Sequence, residues 1–539
     1  MSDWFLREHH LFDGFFRISG KVSPASVRDQ CVRMQALIDS LKATGRLTDR
    51  SRVLIVGAGF TGMFATSLIL RGTKATLWLI EQQPQSMSVQ RKVRHRIVEP
   101  AGLDWPYQHW GRTRFPIRGP SPLRWDAMPA ADLAEEWDAQ LNLNSIEAHD
   151  IRGRFKPWFK ASVTGWIRPR ETEPRWSVSF EIPEIESEEI AERVKTYEFD
   201  LCILATGVSD EEVGIRGTDY RGFAFWDPDD PIFAQPESLA GKKILIVGGG
   251  DGALGDMARL LTGATSSAGL LGQLNSVLHD RDRYRIHTLH AILFRHFLHG
   301  ITLSNGSRAP AEVAALFEAQ RRFMALAERI WQRTEIQSIV NDMLLPATER
   351  PFVQLLCRSS YFGFCYPRNR ILGLLLAMAL AEDVEVKNGG LKPFKFNCEI
   401  DTILPEDKTL VSASRGWSAA QWAAHRVLVR FQRNEEFASA RRFLEPRIGG
   451  EARCPKTICG EVERADFDLI VPRVGPRPRS PFVPNASEPE SADAERLLRQ
   501  AYYRWKAKQD LLDSLGNAKF EREFRQPIPH YWVRTGQTI

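Results

Sequence analysis

Val53-Leu-Ile-Val-Gly57-Ala-Gly59-Phe-Thr-Gly62-Met-Phe-Ala65 is the stretch on which the reading of this chain turns. Arg52 to Val56 is a short apolar run that opens directly into glycines, the pattern of a strand buried on both faces of a parallel sheet. The glycines follow as G-x-G-x-x-G and lead into a helical pattern ending near Gly72. Gly57 permits the tight turn, Gly59 lets a pyrophosphate approach the backbone, and Gly62 lets helix and strand pack closely. Phe60 and Thr61 then sit at the helix N-terminus, whose backbone N–H groups and positive dipole end suit phosphate. A second strand pattern, Ala75 to Ile80, ends at Glu81, 24 positions after Gly57. A carboxylate at that offset accepts hydrogen bonds from ribose hydroxyls.

A second unit of the same kind starts at Gly241. Lys243-Ile-Leu-Ile-Val247 runs into Gly248-Gly-Gly250-Asp-Gly-Ala253, a G-x-G-x-x-A loop with alanine in a permitted third position. No strand follows at the usual distance, because residues 265–350 read as helical. The delayed candidate is Pro351 to Cys357, followed by Arg358-Ser-Ser. An arginine there suits the 2′-phosphate of NADP, since guanidinium pairs well with phosphate.

The rest of the chain bounds the answer. It has 539 residues, 43% hydrophobic and 26% charged, enough to bury a large core, so wholesale disorder, collagen and coiled coil are excluded. Lys+Arg 72 against Asp+Glu 67 gives only +5, not the concentrated basic face of a nucleic-acid binder. Seven cysteines make no disulfide framework. The N-terminus lacks the pattern of a signal peptide. The longest apolar run, Ile371 to Ala381, falls short of the about 20 residues a membrane span needs and fits a buried helix. The expectation is a soluble, cytoplasmic protein acting on a small molecule, with its oligomeric state left open. Residues 82–195 read as long loops with a few strands, among them the alternating Trp176 to Ile182. Residues 385–475 read as strands and hairpins.

Two such loops in this order resemble the flavoproteins with two dinucleotide-binding domains, which include pyridine nucleotide-disulfide reductases and flavin-containing monooxygenases. Asp200-Leu-Cys-Ile-Leu-Ala205-Thr206-Gly207 is similar to that family's second flavin-domain signature, and Asp466 to Gly475 to the corresponding strand of its second domain. Val384 to Gly389 and Val427 to Phe431 fit further strands of that domain. The resemblance implies an α/β fold of two Rossmann-like three-layer domains, the second inserted in the first. The expected division is a helical lead-in over 1–50, an FAD-binding domain over 51–225, and an NAD(P)-binding-like domain over 240–478 with a helical insertion at 265–350. A C-terminal extension, 479–539, completes the FAD domain. FAD is expected on Gly57, Gly59, Phe60, Thr61, Gly62, Glu81, Ala205, Thr206 and Gly207. NAD(P)H is expected on Gly248, Gly250, Ala253 and Arg358.

The chain departs from the family in several places. The only close cysteine pair, Cys454 and Cys459, lies far from where a redox disulfide belongs and reads as two reduced structural thiols. Tyr220 to Asp227 has the glycine and aromatics but not the histidine of a Baeyer–Villiger fingerprint, and no closing Gly-Asp motif is evident near the C-terminus. Elimination therefore favours a monooxygenase-like FAD-dependent oxidoreductase. Two alternatives stay open: an FAD-dependent amine or amino-acid oxidase with a degenerate second loop, and an FAD/NAD(P)-binding redox or nucleotide sensor. Arg94, His95, Pro100, Trp105, Pro106, His109 and Trp110 are candidates to face a substrate. His287, His290, His296 and His299 lack the acid or cysteine spacing of a metal site. No catalytic acid, base or nucleophile stands out.

Overall fold

The two glycine-ended runs, Arg52–Val56 and Lys243–Val247, become interior strands of two separate parallel sheets. The computed structural model describes residue 6 and residues 9–18, 26–99, 114–115, 123–141, 153–167, 175–182, 194–207, 211–234, 236–299, 310–363, 365–382, 391–433 and 464–475. The described residues divide into two compact units, one reaching to 207 and the other from 211 to 475.

In the first unit the chain begins with β1 (His10–Phe12) and β2 (Phe15–Arg17), then α1 (Val27–Ala43). Next come β3 (Arg52–Val56), α2 (Phe60–Gly72) and β4 (Thr76–Ile80). Helix α3 (Ala130–Leu141) precedes β5 (Phe155–Trp158). An antiparallel sheet follows, β6 (Ser162–Ile167), β7 (Trp176–Glu181) and β8 (Val194–Phe199), and the chain returns through β9 (Leu201–Leu204). The main sheet has the order β1-β2-β9-β3-β4-β5, parallel throughout except for the β1–β2 hairpin. The alternation read in β7 is real: Trp176, Val178 and Phe180 are buried against Leu54, Trp78, Ile80, Phe199 and Leu204. Burying side chains of this size stabilises by roughly 1.5–3 kcal/mol each.

The helical lead-in expected over 1–50 is corrected. Residues 27–43 are helical, but residues 10–17 form a hairpin that joins the main sheet. Strands of three residues are too short to show a period of two, so composition could not reveal them. Helix α3 was also hidden, inside a segment whose Trp and Pro content masked its pattern.

The second unit runs β10 (Lys243–Val247), α4 (Asp251–Thr262), then four helices: α5 (Ser267–Val277), α6 (Asp280–His299), α7 (Pro310–Trp331) and α8 (Thr334–Met343). It continues through β11 (Phe352–Cys357), α9 (Pro367–Glu382) and β12 (Phe394–Phe396). An antiparallel sheet of β13 (Cys398–Pro405), β14 (Val427–Arg433) and β15 (Arg464–Phe467) precedes the last strand, β16 (Leu469–Pro472). The parallel sheet has the order β12-β11-β10-β16. Helix α9 carries the long apolar run and is buried in the main core of this unit. Among the described residues no helix is long and apolar enough to cross a membrane.

The fold is thus mixed α/β with parallel sheets, and each unit repeats one plan. A glycine-ended strand (β3, β10) lies between the next parallel strand (β4, β11) and the last strand (β9, β16), with a three-stranded antiparallel sheet before that last strand. The second unit inserts α5 to α8 between the loop helix and β11, which is why its second strand comes late in the sequence. Val384 to Gly389, Cys454, Cys459 and residues 479–539 lie outside the described residues. Cys398 is disulfide-bonded, which the sequence did not suggest; the four other described cysteines are not in disulfides.

Candidate functional site

The first glycine loop joins β3 to α2. Gly57 donates its N–H to Ile80 O at 2.8 Å and takes φ +102°, a conformation that favours glycine. A Cβ there would stand 2.6 Å from Ala205 O, so β9 closes one side of the turn. A Cβ on Gly62 would stand 1.8 Å from Gly57 O, the close helix-to-strand approach expected of the third glycine. Gly59 differs from both. It is extended at the N-terminus of α2, and among the described residues a Cβ on it would meet nothing within 4 Å. Among the described residues the helix start is therefore open at Gly59.

Glu81 stands beside this opening. Its carboxylate accepts from Ala58 N at 2.7 Å and from Gln83 N at 2.8 Å, which holds it at the loop. Phe60 is buried, edge-on to Trp137 at 5.2 Å between ring centroids, so α3 steadies the start of α2. Thr61 is half-buried. Ala205 is buried and donates its N–H to Val56 O at 2.8 Å, while Thr206 and Gly207 are exposed. All nine residues expected to hold FAD thus gather at the carboxyl ends of β3, β4 and β9. Sequence reasoning missed Met87, which is buried and donates its N–H to Ala58 O at 2.8 Å, packing the segment after Glu81 against the loop.

The second loop repeats this geometry with different side chains. Gly248 donates its N–H to Leu356 O at 2.9 Å and takes φ +143°. A Cβ on it would stand 2.2 Å from Arg473 O, as one on Gly57 would from Ala205 O. Gly250 is likewise extended at the N-terminus of α4, and Ala253 is fully buried. Leu356 therefore corresponds to Ile80, and Cys357 stands in the place of Glu81. Burial pushes the Cys357 thiol well above its usual range, so this position carries no charge. Arg358 follows it, exposed, in an ion pair with Glu399 at 3.2 Å. A simple offset from Gly248 could not find Cys357, because four extra helices, α5 to α8, follow the loop helix.

Two further groups distinguish the second loop. Asp251 accepts from Tyr366 N at 2.8 Å and Asn369 Nδ2 at 2.9 Å, tying the segment after β11 to the loop. Arg473 stands where Ala205 does and is buried with two carboxylates. It donates Nε–H to Asp256 at 2.6 Å, Nη1–H to Phe223 O at 2.9 Å, and Nη2–H to Asp230. These charges are consumed in fixing β16 to α4 and to residues 223–230.

Of the other candidates, Arg94 is exposed and paired with Asp132 at 3.0 Å and Glu135 at 3.6 Å. Pro100, Trp105, Pro106, His109 and Trp110 lie outside the described residues. His287 and His290 are on α6, as are His296 and His299, and among the described residues no group of three or more His, Cys, Asp or Glu could hold a metal.

No protein-family model matches this chain, and no curated protein does. Solved structures do resemble it. Thioredoxin reductase from Lactococcus lactis is 11% identical, with 79% of this chain and 78% of that one covered and a TM-score of 0.31. The FAD-bound cadaverine monooxygenase DfoA from Erwinia amylovora is 10% identical, with 80% of each chain covered and a TM-score of 0.34. Cyclohexanone monooxygenase from Rhodococcus sp. Phi1, bound to NADP+, is 12% identical, with 60% of this chain and 63% of that one covered and a TM-score of 0.27. At these scores the likenesses carry no argument about this chain, whose chemistry rests on its own loops.

Proposed function

We propose that this protein is an FAD-dependent oxidoreductase with two dinucleotide sites, FAD on the first glycine loop and NAD(P)H on the second. The FAD domain is interrupted in sequence by the second unit, and the substrate is a small molecule. Held on these two loops, NAD(P)H would supply hydride and FAD would carry the electrons on to substrate or to O2. The monooxygenase-like subclass is favoured because all five described cysteines, 31, 202, 357, 365 and the disulfide-bonded 398, are buried. Burial pushes the Cys202 and Cys357 thiols well up and Cys365 up to about 12, which suits none of these three for thiol redox chemistry.

The chain's own residues divide the binding. Gly59, Phe60 and Thr61 offer backbone N–H groups to the pyrophosphate, Glu81 accepts from the adenosine ribose, and Ala205 to Gly207 border the other side. Gly250 and Ala253 play the corresponding part in the second unit. There the ribose position holds neutral Cys357, followed by Arg358, which favours a 2′-phosphate over a free 2′-hydroxyl. The exposed Arg358–Glu399 pair is a weak one and opposes little when the guanidinium turns to a phosphate. Arg358→Ala is expected to weaken NADPH binding about tenfold and NADH binding much less, measured by titration of the FAD-loaded protein. Equal losses for both nucleotides would remove Arg358 from this role.

The observation that carries the proposal is the space left open at Gly59, among the described residues, at the start of α2. Its test is Gly59→Ala. Alanine fits the apo loop, so the melting temperature without FAD should move little. The added methyl occupies the phosphate's approach, so FAD affinity should fall on the order of tenfold or more. An unchanged FAD affinity would contradict the assignment.

A further inference from the structure

Open parallel sheets bind ligands across the carboxyl ends of their strands, where the chain's progress through the sheet reverses. In the first unit the reversal falls between β3 and β9: the chain steps outward through β4 to β5 on one side and comes back to β9 on the other. Neighbouring strands are about 4.8 Å apart. Glu81, at the end of β4, marks one strand's width on the side where the adenosine half lies. The opposite half of a dinucleotide held on Gly59 extends the other way, over β9 and one strand further, roughly 10 Å from β3.

That further strand is β2, and it comes from the N-terminal segment. Leu204 is paired with Arg17, and Ile18 donates its N–H to Leu204 O at 3.1 Å. Arg17 and Ile18 therefore reach the same edge as Ala205. The hairpin is fixed in place. Cys202 N donates to Gly14 O at 2.8 Å, Trp176 Nε1 donates to Asp13 O at 2.7 Å, and Phe15 and Phe16 are fully buried. In the second unit, among the described residues, no strand lies beyond β16. The two units share one plan and differ at this edge.

We propose that the N-terminal hairpin is part of the FAD site, with half-buried Arg17 at the end of β2 contacting the flavin-side half of the dinucleotide. This rests on the assignment of FAD to the first loop. On that assignment the strand completing the cofactor edge is supplied from the N-terminus. Arg17 contributes guanidinium donors suited to a phosphate or ribityl oxygen, and buried Ile18 holds the strand end against β9.

The test is hydrogen exchange on the full-length protein, stripped of FAD and then reloaded, read by peptide. FAD should slow exchange over 9–18 by a factor comparable to that over 52–63, and by clearly more than over 162–181 in the antiparallel sheet of the same unit. That last comparison separates contact from general stabilisation. Slowing over 9–18 no greater than over 162–181 overturns the inference. As a second arm, Arg17→Ala should raise the FAD dissociation constant about tenfold, and an unchanged constant in a folded variant also counts against it. If the protein takes up no FAD, the assignment of the first loop fails and the inference fails with it, an outcome distinct from FAD binding that leaves the hairpin untouched.

Discussion

Glu81 is fixed by its own loop in the place proposed for a ligand's ribose. Its carboxylate is held by two backbone N–H groups of its own loop. Glu81→Gln keeps one oxygen for Ala58 N but loses the charge, and a hydrogen bond to a charged group contributes about 1.5–3 kcal/mol. FAD affinity should therefore fall about tenfold or more while the fold is retained, measured by absorbance titration. An affinity equal to that of the unaltered protein would separate Glu81 from the ribose. Gly57 makes the opposite prediction. Its φ of +102° and the closeness of Ala205 O mean that Gly57→Ala strains the folded loop, lowering stability by about 1–3 kcal/mol even without FAD.

At the scale of elements, the two glycine loops and their strands were legible because buried parallel strands read as continuous apolar runs ended by glycine. What was hidden has physical reasons. The β1–β2 hairpin is too short for a period, the match of Cys357 to Glu81 is obscured by the four extra helices before β11, and Arg473 carries no local signal that it is buried with carboxylates 217 and 243 positions away. Arg473→Met leaves Asp230 and Asp256 buried without their cation and should destabilise by about 3–5 kcal/mol in denaturant melts. A loss below about 1 kcal/mol would show that those carboxylates find other compensation. The hairpin makes its own prediction. Burial, aided by the charges of Arg33 and Arg17, lowers His9 to about 3. Its unfolded form takes up a proton near pH 6.5 and its folded form does not, so this contribution is complete above pH 6.5 and is lost as pH falls towards 3. His9→Gln should flatten the fall of melting temperature between pH 7 and pH 4, and an unaltered slope would show that His9 does not report on the hairpin.

Over the whole molecule, the repeated plan of the two units is the strongest argument for two nucleotides in one chain. The differences between the units argue that the nucleotides are not the same. The first has a carboxylate just after its second parallel strand and a longer sheet edge; the second has a neutral thiol followed by an arginine. The most direct test is to load the purified protein with FAD, exclude oxygen, and add NADPH and NADH separately while recording the flavin absorbance. The account predicts one bound FAD per chain whose absorbance is bleached by NADPH at lower concentration than by NADH. Bound FAD that neither nucleotide bleaches would contradict the two-site reading.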